Sequence, residues 1–327
     1  MTDGNATPLH RMKTGQILER VFQLCWKGRK TLVAIAIVPP ATLFATLAAA
    51  MGSFMIPFIA RMPKNMSAEQ TPRMGFVFFF CMSVVMTLCS AAFAPSLAAC
   101  CYASVHADLG SSHVTFRESY AFACKRYWSY LALFFLTILI ATSPVLVLEA
   151  FTAVSALSLK YHPREIGPGL VALIPVGMIV FIGVYVLSIV LTLRISLAFP
   201  ACVTESLGAS AALRRSDLLT RGAKGRIFLV LLVVYAACYA AYLVGFFVVA
   251  IWFAFLSAAS LTMGGHVPII LTLIMGVLTL LGVLCMMIFF MACAGAGIST
   301  ALAVIYNDRR RVTDRRSEDM APMGAPV

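Results

Sequence analysis

Apolar and polar positions fall along this chain in long blocks, with short amphipathic stretches between them. After a polar lead over residues 1–13, read as disordered, apolar residues recur at helical spacing from Thr14. Ile17, Leu18, Val21, Phe22 and Cys25 share one face, and Gln16, Glu19, Arg20, Gln23 and Lys27 the other, which predicts a short amphipathic helix. Gly28 suits the C′ position, and Lys27, Arg29 and Lys30 suit both the helix C-terminus and anionic headgroups.

Uncharged runs then predict six membrane spans, at about residues 31–60, 75–105, 127–148, 168–193, 227–262 and 268–306. Pro39 and Pro40 imply a kink or a late start in the first span, and Pro95 interrupts the second. Ala45, Ala48, Ala49 and Gly52 offer a stripe of small residues for close helix packing. Thr115 and Glu118 have the spacing of a capping box, which starts a second short helix with Phe116, Tyr120, Ala123 and Tyr127 on its apolar side. Trp128 and Tyr130 fall where interfacial aromatics collect. No Asp, Glu, Lys or Arg occurs from Ile227 to Asn307, enough chain for two spans with a hairpin near residues 263–268. The tail, 308–327, is charged and reads as disordered. The fold class expected is an all-α polytopic membrane bundle with short interfacial helices.

The longest polar break, Leu193 to Ile227, predicts a third short helix from Ser206 to Arg221 with Gly222 at C′. Pro200 should break the helix leading into it. Ala209, Ala212, Leu213, Ser216 and Leu219 form its quieter face, and Asp217 can pair with both Arg214 and Arg221 on the wet face. Arg194, directly after the fourth span, can reach headgroups or pair with Glu205. Basic clusters end at Lys30, Arg126 and Arg226, 96 and 100 residues apart, each preceded by a short helix and followed by two spans. That suggests a threefold internal repeat, although evenly spaced cytoplasmic loops arise in any six-span protein.

Composition strengthens the membrane reading: 61% of the 327 residues are hydrophobic, 12% are charged, and the mean hydropathy is +0.94. A soluble domain of this size could not hide so much apolar surface. The formal charge of +12 would suggest nucleic acid in a soluble protein, but these cations crowd beside apolar runs, so no nucleic-acid partner is expected. Twenty Lys and Arg fall on the side of the termini and five on the other, which places both termini in the cytoplasm of a bacterial inner-membrane protein. The first apolar run is too long for a signal-peptide core and should stay as an anchor.

Catalytic signatures are absent: there is no G-x-S-x-G, no phosphate-binding G-x-x-x-x-G-K-[ST] and no H-E-x-x-H. No enzyme activity, cofactor or metal is therefore expected. Cys81, Cys89, Cys100, Cys101, Cys238, Cys285 and Cys293 lack paired spacing and read as small buried hydrophobes, and the five histidines as solvated loop residues. No acid stands at mid-membrane depth, which argues against a proton-coupled transporter. The candidate site is a set of headgroup or partner contacts: Arg194, Glu205, Arg214, Arg215 and Arg221. Topogenic charges on a surface helix explain them, and so does a phosphate cradle. The leading expectation is a non-enzymatic module that binds anionic lipid, or a membrane-protein partner, through its cytoplasmic helices. The alternative is a carrier or channel for an amphipathic compound, prompted by Pro-broken spans and small-residue stretches such as Ala292 to Ala301.

Two segments resemble the membrane domain of bacterial glycerophosphodiester phosphodiesterases. One is TGQILERVFQLCWKGRKTLVAIAIVPP, from Thr14 to Pro40. The other is RISLAFPACVTE, from Arg194 to Glu205, followed by ALRRS at Ala212 to Ser216 and LTRG at Leu219 to Gly222. The resemblance implies a six-span module. In some family members a soluble catalytic barrel follows it. This chain runs about 20 residues past the last span, so a stand-alone module is expected and the barrel's activity is not implied.

Overall fold

The computed structural model describes residues 12–61, 90–110, 114–161, 174–262 and 269–319. Most of the polar lead, much of the second span, the start of the fourth, the hairpin at 263–268 and the end of the tail lie outside the described residues. Every described element is a helix: α1 (Thr14–Lys27), α2 (Arg29–Arg61), α3 (Phe93–Asp108), α4 (Phe116–Lys125), α5 (Tyr127–Tyr161), α6 (Ile174–Ile195), α7 (Ala198–Thr204), α8 (Ala209–Thr220), α9 (Lys224–Thr262) and α10 (Ile269–Asp319). Five stretches are long and apolar enough to cross a membrane: Arg29–Ala49, Tyr127–Glu149, Gly177–Thr204, Lys224–Trp252 and Gly276–Thr313. The chain is a multi-pass membrane protein.

The helices group into two units, Met1–Tyr127 with Leu229–Ile305, and Trp128–Phe228 with Tyr306–Val327. In the first unit, α1 buries Ile17, Val21 and Leu24 and leaves Phe22 exposed. Gly28 does not take the left-handed C′ conformation expected of it, since its φ is −88°. The glycine serves close approach instead. A Cβ there would stand 3.1 Å from both the Leu24 carbonyl and Leu32 Cδ1, and the chain turns directly into α2.

Helix α2 starts at Arg29 and continues through Pro39 and Pro40, so the prolines do not delay its start. A proline at position 39 deprives the Ile35 carbonyl of its helical donor. Two side chains replace that donor: Ser96 Oγ at 3.0 Å and the Tyr120 hydroxyl at 2.9 Å. The orphaned acceptor thus anchors α3 and α4 to α2. In the second unit, Pro144 within α5 similarly frees the Ile140 carbonyl, which accepts from Ser143 Oγ at 3.0 Å.

Small residues build the rest of the first unit's core. Helix α3 buries Ala94, Ser96, Ala98, Ala99, Cys100 and Ala103. The stretch from Ala292 is likewise packed: Ala292, Ala296, Ala301 and Ala303 are buried, and Ser104 Oγ lies 3.0 Å from Thr300 Oγ1. Bilayer hydrocarbon supplies no hydrophobic drive between helices, so close backbone approach has to supply dispersion and hydrogen bonding. The stripe expected at Ala45, Ala48 and Ala49 is exposed, and nothing lies within 4 Å of a Cβ built on Gly52. Of the cysteines read as buried hydrophobes, Cys100 and Cys101 are buried, Cys238 and Cys293 intermediate, and Cys285 is exposed. Cys81 and Cys89 lie outside the described residues.

Candidate functional site

The polar break between the fourth and fifth expected spans folds as two short helices joined by a tight turn. The break in the incoming helix falls at Ser196 and Leu197, upstream of Pro200, which sits at the third position of α7. Pro95 occupies the same position in α3, after a turn at Ala91 and Ala92. A proline is tolerated in a first turn, where N–H groups have no intrahelical partner anyway, so it shifts the break upstream of itself. Buried Ser216 of α8 stitches this break. Its Oγ donates to the Arg194 carbonyl at 2.9 Å and accepts from the Leu197 N–H at 3.1 Å.

Helix α8 is shorter than expected, beginning at Ala209 after an N-cap at Gly208, because Ser206 takes a left-handed φ of 51°. The face it buries holds Ala212, Ser216 and Leu219, as the periodicity predicts. Gly222 has a φ of +71°, the conformation expected of a C′ glycine. Arg309 completes the helix terminus: its Nε donates to the Leu219 carbonyl at 3.0 Å and its Nη2 to the Arg221 carbonyl at 2.8 Å. The chain is helical to Asp319 and is not released as a disordered tail at residue 308.

Two of the expected ion pairs, Arg194–Glu205 and Arg214–Asp217, do not form. Arg194 donates instead from Nε to Asp217 Oδ1, and from Nη2 to Asp217 Oδ2 at 3.1 Å. The reason is direction: Ser216 pins the Arg194 carbonyl against α8, which brings the guanidinium alongside the next residue of that helix. Arg221 Nη2 reaches the same Oδ2 at 3.1 Å, the i, i+4 pair read from the sequence. Two guanidinium groups thus converge on one carboxylate, and with Arg194 foremost they hold the Asp217 pKa down to about 2.

Glu205 serves a second network. Its Oε1 accepts from Arg215 Nε at 3.1 Å and from the Tyr306 hydroxyl at 2.6 Å. Nearby, Arg226 Nη1 lies 3.3 Å from Asp308 Oδ2, both side chains largely buried. Arg214, by contrast, is exposed and makes no ion pair or hydrogen bond among the described residues. Of the five expected contact residues, Arg215 and Glu205 are committed to each other, Arg194 and Arg221 share Asp217, and Arg214 is left without a partner among the described residues. Sequence reasoning missed Ser216, Tyr306, Asp308 and Arg309 as members of this cluster. The Asn-Asp-Arg run closing the long uncharged block was the one available signal.

The first unit holds a comparable pair. Arg20 of α1 donates from Nε to Asp108 Oδ1 at 3.0 Å and from Nη2 to the Asp108 carbonyl at 3.1 Å, closing the end of α3. Helix α4 begins as its sequence predicts: Thr115 Oγ1 accepts from the Glu118 N–H at 3.3 Å, and Glu118 Oε2 accepts from the Thr115 N–H at 2.9 Å. Those bonds lower the Glu118 pKa. Among the described residues, no three His, Cys, Asp or Glu side chains converge as a metal set.

No protein-family model matches the chain, and neither a curated protein nor a solved structure resembles it.

Proposed function

We propose that this chain is a non-enzymatic membrane module whose short helices α1, α4 and α8 lie at the cytoplasmic surface and bind anionic phospholipid headgroups. The observation that carries the reading is the chemistry at the foot of the spans. Trp26 is 71% exposed and Trp128 is 78% exposed, each beside cations at the start of an apolar helix. The Arg29 guanidinium lies 4.5 Å from the centroid of the Trp26 ring. Indoles next to basic side chains suit the headgroup layer, where one end of the side chain is apolar and the other wet. Each short helix meets its long partner across a link of one to three residues.

The finer architecture belongs to the same proposal: six spans, the second over residues 75–105, with both termini in the cytoplasm of a bacterial inner membrane. Threefold repetition gains support from three acids about 100 residues apart. Asp108, Glu205 and Asp308 stand at or near the ends of α3, α7 and the apolar part of α10, and each is paired with an arginine. The likeness to the glycerophosphodiester phosphodiesterase membrane domain is proposed on the residues quoted above.

Vesicle flotation of the full-length protein tests the function. It should bind vesicles containing anionic lipid in preference to zwitterionic ones. Arg214→Ala should weaken that preference without affecting folding, since Arg214 has no partner among the described residues to lose. Equal binding to both vesicle types would refute the reading. A membrane-impermeant maleimide tests orientation. Exposed Cys124 should react from the cytoplasmic side only.

A further inference from the structure

The arrangement around Asp217 has the form of an anion site that is already filled. Arg194 comes from the end of α6 and Arg221 from the turn after α8, and both direct N–H groups at one carboxylate. The backbone beneath is fixed, because the Arg194 carbonyl accepts from Ser216 Oγ at 2.9 Å and from Thr220 Oγ1 at 3.4 Å. The upper side is open: the side chains of Arg194 and Arg221 are 48% and 67% exposed. A guanidinium has five donors. Arg194 turns two of its nitrogens on Asp217 and Arg221 turns one, and these converging donors are the ones a second anion would have to win.

We propose that Arg194 and Arg221 form a binding site for a phosphomonoester, held closed by the carboxylate of Asp217. The inference rests on the headgroup-binding reading and adds its ligand class and its regulation. Asp217 brings one negative charge and two oxygens. A phosphomonoester brings about 1.5 to 2 charges and three acceptor oxygens, which suit two guanidinium forks better. A phosphodiester carries one charge and has no such advantage over the resident carboxylate. Binding is therefore an exchange, in which the phosphate takes the donors and Asp217 turns to water. The site selects phosphomonoester from diester because only the former outcompetes the side chain already present. Arg214, exposed on the same helix, adds charge without taking part in the exchange.

The test is native mass spectrometry of the full-length protein in detergent, titrated with short-chain phosphatidate or short-chain phosphatidylglycerol, and with inorganic phosphate as competitor. Asp217→Asn keeps the shape of the side chain and removes its charge. By removing the competing carboxylate it should tighten both lipids, phosphatidylglycerol by at least as much as phosphatidate, each by up to about fivefold, the order expected when exposed pairs are released. Arg221→Gln added to Asp217→Asn should abolish the gain. Glu19→Gln, which raises the net charge equally on α1, should give neither lipid that gain. Competition by inorganic phosphate would identify a soluble phosphate as sufficient, and its failure to compete would identify the lipid-borne group. An Asp217→Asn protein that binds neither lipid better than wild type, or a wild-type protein that does not prefer phosphatidate to phosphatidylglycerol, overturns the proposal. Wild type and variants that all lack any anionic preference would instead overturn the headgroup reading beneath it.

Discussion

The hydroxyl of Tyr120 donates to the carbonyl of Ile35, the acceptor that Pro39 strips of its helical partner four residues away. Ser96 Oγ approaches the same oxygen at 3.0 Å. A residue pair usually read as a helix breaker therefore serves as a joint. The proline exposes one strong acceptor on an otherwise self-satisfied helix, and two neighbouring helices dock to it. Inside a membrane an unpaired carbonyl is costly, so the docking is specific for position as well as for partner.

Pro39→Ala should uncouple that joint. With an N–H restored at residue 39, the Ile35 carbonyl no longer depends on Tyr120 and Ser96. Tyr120→Phe with Ser96→Ala should cost about 1–3 kcal/mol in the wild-type background, the usual range for a buried acceptor left unpaired, and clearly less in Pro39→Ala. Thermal unfolding in detergent across the double-mutant cycle measures the coupling. Purely additive losses would show that the carbonyl is satisfied in another way.

Glu205 should be the least replaceable side chain of the second unit's cluster. Tyr306→Phe removes one hydrogen bond and should cost about 1 kcal/mol. Glu205→Ala removes the acceptor for both Arg215 and Tyr306 and leaves a buried phenol and a half-buried guanidinium without it, so its cost should be about 2–3 kcal/mol. A Glu205→Ala shift in melting temperature no larger than that of Tyr306→Phe would contradict the network.

Local chemistry is legible in the amino-acid sequence, and long-range pairing is not. The Thr115–Glu118 box, the left-handed Gly222, the buried face of α8 and the Asp217–Arg221 pair are each signalled by closely spaced residues, and all four appear. One partner of Glu205 lies 101 residues away at Tyr306, and the carbonyls that accept from the Arg309 side chain are 88 and 90 residues from it. Neither distance carries a periodic signal. Charge alone could not choose between Glu205 and Asp217 for Arg194, because both are within reach of a long side chain. Ser216 makes the choice by fixing the backbone. The prolines show the same limit: Pro95 and Pro200 announce a break, but its position depends on where a first turn can begin.

Acid should dissolve the Asp217 cluster late. The folded pKa of Asp217, about 2, lies below its ordinary value of 3.8, so the folded state binds fewer protons than the unfolded state between those values. Its contribution to stability is complete above about pH 4 and is lost as the pH falls toward about 2. Asp217→Asn should therefore lower the melting temperature by a constant amount from about pH 8 to about pH 5. The gap to wild type should close between about pH 4 and pH 2. A gap that closes near pH 6 would point to a histidine and not to this carboxylate.

Gly297 sets how closely α9 and α10 approach within the first unit. A Cβ at this position would stand 3.1 Å from Val234 Cγ1 and 3.7 Å from Cys238 Sγ, closer to the valine than side chains normally pack. Val234 is itself buried and β-branched, with little freedom to retreat. Gly297→Ala should thus cost about 1–3 kcal/mol by overpacking, and Gly297→Leu should prevent the two helices from closing. Gly245 provides the control, because its Cβ would meet only the Met286 thioether, at 2.8 Å. Methionine bends away at little cost, so Gly245→Ala should be tolerated. Val234→Ala opens the space that the new methyl needs, and it should recover most of the stability lost in Gly297→Ala. Melting temperatures of the four single variants and the double variant decide the matter. A Val234→Ala change that adds its own loss to that of Gly297→Ala would show that the helices are held apart by something other than this contact.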